Sequence, residues 1–463
     1  PRNWPSGVTR KGFPSNDWET LAYSSAMHDF SFKRGKLYCE NVSVASLAKK
    51  HNTPLYVYSH ATLTRNFRLL DIALSPVDHT IHFAVKANSN LGVLRTLANA
   101  GSGFDIVSGG ELQRVIAAGG DPSKCVFAGV GKTEEDIELA LKKGIYAFSV
   151  ESEPELIRIN KVARRLKKKA PIAIRVNPNI DAKTHAKITT GTYENKFGIA
   201  FEEVEAVYER AAKLKHLHIR GVQMHIGSQL TEVGPFEKAV RKVVPLAKRL
   251  AEKHGIEFFS IGGGVGIVYE SALESGDAKW WRAPKRKNLL TPAKYAAKLM
   301  PLLEPLDLRI LIEPGRFIAG NAGILITRVE YVKQTGVKNF VIVDAAMNDL
   351  ARPALYDSYH EIVPLTRKAS DHLKKNQVSS DVVGPICESS DYFCKNRMLP
   401  KVGEGDHLAL LSAGAYGFVM ASNYNVRPFP AEVLVKGSQA EVVRKRQPLK
   451  QLWAGESVPK WLK

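Results

Sequence analysis

Between residues 63 and 313 short apolar runs alternate with amphipathic helical stretches, and that alternation constrains the fold more than any other property of the chain. The runs 81–85, 104–107, 126–128, 147–150, 172–176, 222–226, 258–261 and 310–312 are too short for helices and mostly apolar, as strands buried on both faces are. Helix signals stand between them. Gly109-Gly110-Glu111-Leu112 opens a helix that stops at Gly119-Gly120, and Thr133 with Asp136 forms an N-cap pair whose helix Gly144 closes. In 201–214 and 236–254 apolar residues recur at three-to-four spacing with basic residues between. Such a run of strand–helix alternations, over about 250 residues, predicts a (β/α)8 TIM-type barrel. A doubly wound open sheet is the alternative.

Past Ala319 the pattern changes. Residues 324–332, 339–344, 407–411, 431–435 and 441–444 read as strands punctuated by proline and glycine, with no long helices between them. This predicts an all-β second domain, to which 30–39 and 55–58 are expected to add strands. The expected boundaries are 62–315 for the barrel, with 26–61 and 316–463 forming the β domain from both chain ends. A chain of 463 residues exceeds one comfortable core, in keeping with two domains.

No apolar run reaches the ~18 residues of a membrane-spanning helix, and residues 1–25 are too polar for a secretory signal. Four cysteines without C-x-x-C spacing predict neither a disulfide framework nor a metal site, and point to a soluble, cytoplasmic, reducing setting. The net charge of +20 is high. The clusters Arg164-Arg165-Leu166-Lys167-Lys168-Lys169 and Lys285-Arg286-Lys287 read as a solvated helix face and an exposed loop rather than a nucleic-acid footprint. An anionic cofactor or substrate also suits such a field.

Barrel enzymes carry their active sites at the C-terminal ends of the strands, and the unusual residues of this chain collect there. Lys86 follows the first strand and Asp105 lies in the second. Arg175 and Asn177 close the fifth strand, His225 the sixth and Gly262-Gly263-Gly264 the seventh, while Glu313 and Arg316 follow the eighth. Each alone has a packing explanation; their coincidence on one face does not. A lysine there is costly to bury unpaired. It suits Schiff-base chemistry, which calls for an amine of lowered pKa. Consecutive glycines let backbone N–H groups approach an anion, at the place where barrels often bind phosphate, and their spacing is not that of a dinucleotide fingerprint. Lysine plus phosphate cradle suggests pyridoxal 5'-phosphate. Glu313 beside its pyridine nitrogen would keep that nitrogen protonated and favour decarboxylation, and the flat ring of His225 is suited to stacking on the cofactor.

Several motifs then resemble the diaminopimelate decarboxylase family of fold-type III pyridoxal-phosphate enzymes. They are 82–88, Gly103-Phe104-Asp105-Ile106-Val107-Ser108-Gly109-Gly110-Glu111-Leu112, His225-Ile226-Gly227-Ser228-Gln229, Glu313-Pro314-Gly315-Arg316, Cys387-Glu388-Ser389, Gly414-Ala415-Tyr416-Gly417 and Ser422-Asn423-Tyr424-Asn425-Val426-Arg427-Pro428. The similarity runs in order from about residue 42 to 435. It implies an alanine-racemase-like pairing of barrel and β domain. It also implies that Lys86 bonds the cofactor, that His225 stacks on it, and that Glu313 pairs with its ring nitrogen. Asp105 is expected in the cofactor site, and Ser228, Gly264, Gly315, Arg316 and Tyr416 around the phosphate. Arg316, Arg352, Tyr356 and Tyr416 are expected at the substrate. Cys387, as proton donor, and Glu388, for the distal ammonium, are implied to come from a second subunit of a homodimer with shared sites.

The implied reaction converts meso-2,6-diaminopimelate to L-lysine and carbon dioxide, the last step of lysine biosynthesis. Two arginines offer forked donors to a distal carboxylate, which a plain diamine precursor lacks. Another decarboxylase of the same fold, acting on a carboxylated polyamine precursor or a basic amino acid, stays open as an alternative. So does a non-catalytic homologue. Ser390 stands where the family usually has glycine, which matters only if that position needs positive φ.

Overall fold

The computed structural model describes residues 28–180, 196–286, 288–367 and 376–462. The stretch 1–25, the first two residues assigned to the β domain (26 and 27) and Lys287 of the basic loop lie outside these. Eight parallel strands close into a barrel: β1 (His79–Ala84), β2 (Gly103–Ile106), β3 (Cys125–Phe127), β4 (Ala147–Val150), β5 (Ala170–Asn177), β6 (Leu217–Met224), β7 (Phe258–Ser260) and β8 (Arg309–Ile312). Each pairs with the next, and β8 returns to β1 with Ile310 opposite His79 and Ile312 opposite Ile81. Closure rules out the open-sheet alternative.

Inside the barrel Val126, Ala147, Ala173, Phe258 and Leu311 form a separate buried cluster. The barrel is therefore filled by a packed core rather than open as a pore. The helices begin and end largely where side chains dictate. Thr133 and Asp136 form a reciprocal capping box on Glu134–Lys143, and Gly144 ends it in the left-handed conformation with φ 68°. Val204–Ala212 begins three residues later than the apolar spacing suggests, and Gly234–His254 two residues earlier.

A second, mostly β-sheet domain runs in the order Tyr392–Pro400, Gln377–Val383, Asn339–Val343, Gly323–Gln334, Leu55–Ser59, Ala431–Lys436, Gln439–Arg444. Leu55–Ser59 lies in this sheet, parallel to Ala431–Lys436 and antiparallel to Gly323–Gln334. The strands at 30–39 do not: Phe30–Lys33, Lys36–Cys39 and Val42–Ser43 make their own three-stranded sheet. Sequence pattern also passes over Gln377–Val383 and Tyr392–Pro400, where Ser379, Ser380, Asp381, Lys395, Asn396 and Arg397 dilute the apolar signal.

The two domains are joined next to the barrel mouth. Asn88 Nδ2 donates to the Gly414 carbonyl (3.0 Å), and the Tyr416 amide donates to the Ala87 carbonyl (2.8 Å). Asn90, which caps the helix Leu91–Asn99, donates to the buried Glu432 (2.9 Å), whose other oxygen accepts from Tyr58 (2.7 Å). The basic run at 164–169 is partly committed to its own neighbours: Arg165 pairs with Glu134 and Glu138, and Lys168 bonds the Leu141 carbonyl.

Lys132 is the buried cation that ties the ends of β3 and β4 together. Its ammonium spends its donors on the carbonyls of Gly129 (2.7 Å) and Ser149 (2.8 Å) and on Glu155 (2.6 Å). Glu155, whose carboxyl burial pushes up from its ordinary range, sits in the next helix, Glu153–Arg165. Removing one member of such a pair strands the other. Lys132→Met is expected to lower unfolding stability by about 3 kcal/mol or more, measured by denaturant titration. A loss below about 1 kcal/mol, the range of exposed pairs, would show that the pair is not a structural tie.

Candidate active site

Strand β1 ends at Ala84, and Val85–Ala87 form one turn of 3₁₀ helix, so Lys86 sits in a turn rather than at the strand's last position. The turn aims its Nζ across to β2, where Asp105 Oδ2 lies 2.9 Å away. Asp105 is buried, and its second oxygen, Oδ1, has no hydrogen-bond partner. Burial alone would lower the lysine's pKa, but Asp105, helped by Tyr416 and Glu313, outweighs it and raises the pKa above its ordinary value. This corrects the expectation of an amine made neutral by its surroundings: in this geometry Lys86 is an ammonium held by a carboxylate.

The ends of β6, β7 and β8 build the facing wall. His225 Nδ1 accepts from the Gly263 amide (3.2 Å), and burial, with Arg175 and Lys86 nearby, pushes the imidazole well below its usual range. The ring is therefore neutral. Gly263 is forced by packing, because a Cβ there would lie 2.2 Å from the Glu313 carbonyl oxygen. Gly264, at φ +104°, would bring a Cβ to 2.4 Å from the Gly227 carbonyl oxygen. Of the glycine amides read as an anion cradle, that of Gly263 is thus already spent on His225.

Glu313 is buried at the end of β8. Its oxygens accept from Ser260 Oγ (2.6 Å) and Gln223 Nε2 (3.0 Å). Burial first, and the neighbouring Asp105 second, push its carboxyl up to about 7 despite those bonds.

Two arginines and a tyrosine complete the site. Arg316 follows β8, and Arg352 opens the short helix Arg352–Tyr356 of the sheet domain. Both donate to one oxygen, the hydroxyl of Tyr269, at 2.5 Å and 2.6 Å. Arg316 also donates to Ser228 Oγ (3.1 Å), and its guanidinium lies 4.7 Å from the centre of the Tyr416 ring. Arg352 donates to Ser358 Oγ (3.2 Å).

Most of these groups face one cavity of about 460 Å³. Lys86, Asp105, His225, Ser228, Gly264, Glu313, Gly315, Arg316, Arg352, Tyr356 and Tyr416 line it together, as sequence reading groups them. Arg175 also lines it, paired with the buried Glu151 at 2.9 Å and stacked against Phe197. Cys387 and Glu388 do not line it. They are exposed on the sheet domain, where the Cys387 amide bonds Asn425 Oδ1 (2.8 Å). Ser390, nearby, is not among the described residues with positive φ, so serine fits there without strain.

Sequence reading misses Gln223, Ser260 and Tyr269. The first two look like ordinary polar residues in apolar strands. Tyr269 lies five residues beyond the glycine triplet, with no local pattern to mark it.

A lysine open to the cavity and paired with a buried aspartate, a neutral histidine, a hydrogen-bonded glutamate and a pair of arginines, at the mouth of a barrel capped by a β domain, define a pyridoxal-phosphate decarboxylase of fold type III. The family description "Pyridoxal-dependent decarboxylase, pyridoxal binding domain" matches residues 60–320. The diaminopimelate decarboxylase of Vibrio cholerae serotype O1 is 51% identical over 426 residues, 92% of this chain and 97% of that one. That of Pseudomonas aeruginosa is 49% identical over 435 residues, 93% of this chain and 99% of that one. The crystal structure of diaminopimelate decarboxylase from Helicobacter pylori complexed with L-lysine superposes with a TM-score of 0.81 at 42% identity, covering 89% of this chain and 98% of that chain. The chain belongs to the diaminopimelate decarboxylase family.

The residues present fit pyridoxal phosphate. The orphaned Asp105 Oδ1 and Arg316 Nε are buried polar atoms without a protein partner, and Lys86 is open to the cavity. A cavity of this size lies within the usual range for ligand sites, about 300–1,000 Å³.

The raised Glu313 carboxyl has a consequence for stability. The folded protein keeps that proton where the unfolded chain releases it. The contribution is therefore complete below the ordinary value of 4.5 and is lost as pH rises through about 7. In cofactor-free protein, Glu313→Gln is expected to remove this decline, a relative gain of up to about 3 kcal/mol between the two limits. Parallel pH–stability curves for parent and variant would refute it.

Proposed function

We propose that the protein catalyses decarboxylation of meso-2,6-diaminopimelate to L-lysine and carbon dioxide. The observation that carries this reading is the nature of the acceptors around Arg316 and Arg352. Among the described residues these guanidiniums find hydroxyls and an imidazole as acceptors, not carboxylates. Two forked cations without an internal anion call for one from the substrate, and the distal carboxylate of diaminopimelate supplies it. A basic amino acid such as ornithine or arginine, or a diamine product, brings no anion to that end.

In this reading Lys86 is the residue that would bond the cofactor aldehyde, and Asp105 holds its nitrogen at the cavity. His225 presents a neutral ring for stacking. Glu313, fixed by Ser260 and Gln223, would pair with the cofactor's ring nitrogen and keep it protonated. Ser228, Gly264, Gly315, Arg316 and Tyr416 hold the phosphate, and Arg316, Arg352, Tyr356 and Tyr416 orient the substrate. Pyridoxal phosphate supplies the electron sink for the pair left on the α-carbon when carbon dioxide departs.

The α-carbon needs a proton in place of the lost carboxyl. We assign it to Cys387 of a second copy, with Glu388 of that copy binding the distal ammonium, in a homodimer with shared sites. The exposure of both residues, away from their own cavity, supports this. We likewise take 62–315 as the cofactor-binding barrel and 26–61 with 316–463 as the β domain, acting in a reducing, cytoplasmic setting. Among the described residues no helix is long and apolar enough to cross a membrane.

Carbon dioxide and lysine release is expected from meso-diaminopimelate with pyridoxal phosphate supplied, and not from L-ornithine, L-arginine or carboxynorspermidine run in parallel. Turnover of one of the others alone would reassign the distal pocket, and silence on all would favour a non-catalytic homologue. Lys86→Ala and Cys387→Ala should each be close to inactive. Mixed in equal amounts and allowed to exchange, they should recover about a quarter of parental activity, because half the dimers then hold one intact site. Proven exchange without recovery would refute the shared site.

A further inference from the structure

Tyr269 is the one tyrosine of the cavity whose hydroxyl is shared between two guanidiniums. It comes from the loop after β7, while Arg316 follows β8 and Arg352 belongs to the sheet domain. Its oxygen accepts from Arg316 Nη1 at 2.5 Å and from Arg352 Nη1 at 2.6 Å. Both guanidiniums also lie against its ring, at 5.9 Å and 4.8 Å from the centroid.

Behind Arg352 the buried His360 extends the chain. Its Nδ1 bonds the Leu411 carbonyl (2.8 Å), which fixes the proton there and leaves Nε2 as an acceptor 3.4 Å from Arg352 Nη1. Burial and the adjacent Arg352 push this imidazole down to about 3, so it stays neutral beside the cations. The His360 and Tyr269 rings meet edge to face at 5.4 Å. Without an acceptor between them, the two like charges would repel and splay.

We infer that Tyr269, backed by neutral His360, is a positioning residue that sets the spacing and orientation of Arg316 and Arg352 for a ligand carboxylate, and so determines specificity at the distal end. The inference rests on the proposed reading of the site. Burial alone would push the Tyr269 hydroxyl up, yet the Arg316 and Arg352 guanidiniums pull it below its ordinary range, as expected of an oxygen that works as an acceptor.

Tyr269→Phe keeps the ring and removes only the shared oxygen, which separates positioning from packing. In the cofactor-loaded protein KM for meso-diaminopimelate should rise at least about tenfold while kcat changes by less than about threefold. L-Lysine, which on the proposed reading is the product and keeps the distal carboxylate, should lose affinity by a similar factor in calorimetric titration. Affinity for pyridoxal phosphate, which on the proposed reading Ser228, Gly264, Gly315 and Tyr416 also hold and where Arg316 keeps its bond to Ser228, should change by less than about threefold. Unaltered KM and L-lysine affinity would overturn the inference. So would a parallel loss of cofactor and L-lysine affinity, the mark of a general structural role. Tyr269→Met, which also removes the shared oxygen, gives the same comparison if the phenylalanine variant does not fold. A loss of L-lysine affinity without loss of cofactor affinity is again the expected result. Failure of the underlying functional reading would show in the parent protein, as absent turnover of diaminopimelate, before any variant is compared.

Discussion

Tyr416 donates its amide to the carbonyl of Ala87, and through that bond the sheet domain holds the turn that carries Lys86. Two further bonds, from Asn88 to Gly414 and from Asn90 to Glu432, brace the same few residues from above. From below, the Ala84 amide reaches the Pro314 carbonyl at the end of β8, and Asp105 fixes the lysine's nitrogen. Tyr416 adopts a left-handed backbone, φ 56°, to make its contact while its ring faces Arg316. A non-glycine residue keeps that conformation only where its surroundings over-determine it. The position of the lysine therefore depends on both domains, and a barrel without its sheet domain would lose the contacts that hold the turn from above.

The cavity's charges form two groups that follow different rules. Near β1, β2 and β8 the cation Lys86 is matched by Asp105, while burial makes Glu313 hold its proton more tightly than a carboxyl in water. Along β5, Arg175 is matched by Glu151. Around Arg316 and Arg352 no such match is made among the described residues, where Tyr269, Ser228, Ser358 and His360 accept from them. An uncompensated cation pair costs stability in the empty protein. It becomes favourable when an anion enters, and that difference is what binds a carboxylate selectively over an amine.

Much of this is legible in the amino-acid sequence. The eight barrel strands have a periodicity signal that turns and caps reinforce, and their closure follows from their number and spacing. The residues lining the cavity are legible for the same reason: in a barrel a residue's place at a strand's C-terminal end fixes which way it faces. What pattern does not show is interaction. The pKa of Lys86 goes up rather than down because a carboxylate one strand away outweighs burial, and only the register of β1 against β2 reveals that. The glycine run reads as an anion cradle, whereas Gly263 is glycine because the Glu313 carbonyl passes too close for any Cβ. The polar strands Gln377–Val383 and Tyr392–Pro400 are strands because their neighbours pair with them, not because their own sequence asks for it.

The site thus divides along the seam between the domains. Lys86, Asp105, His225 and Glu313 belong to strand ends of one closed barrel, whose register sets their mutual distances and cannot shift without breaking the sheet. Arg352 and His360 ride on the sheet domain, and Tyr269 joins them to Arg316 across the gap. Chemistry common to a cofactor is thereby set largely at the strand ends of the barrel, while recognition of the substrate's far end rests on side chains contributed by two domains. A small change in how the sheet domain seats on the barrel would move Arg352 against Arg316 directly, whereas the turn of Lys86, though held by the sheet domain at Ala87 and Asn88, is tied within the barrel as well, through Ala84 and Asp105. Selectivity for the distal group is therefore the property of this fold most exposed to change, and the bridging tyrosine is the contact that resists it.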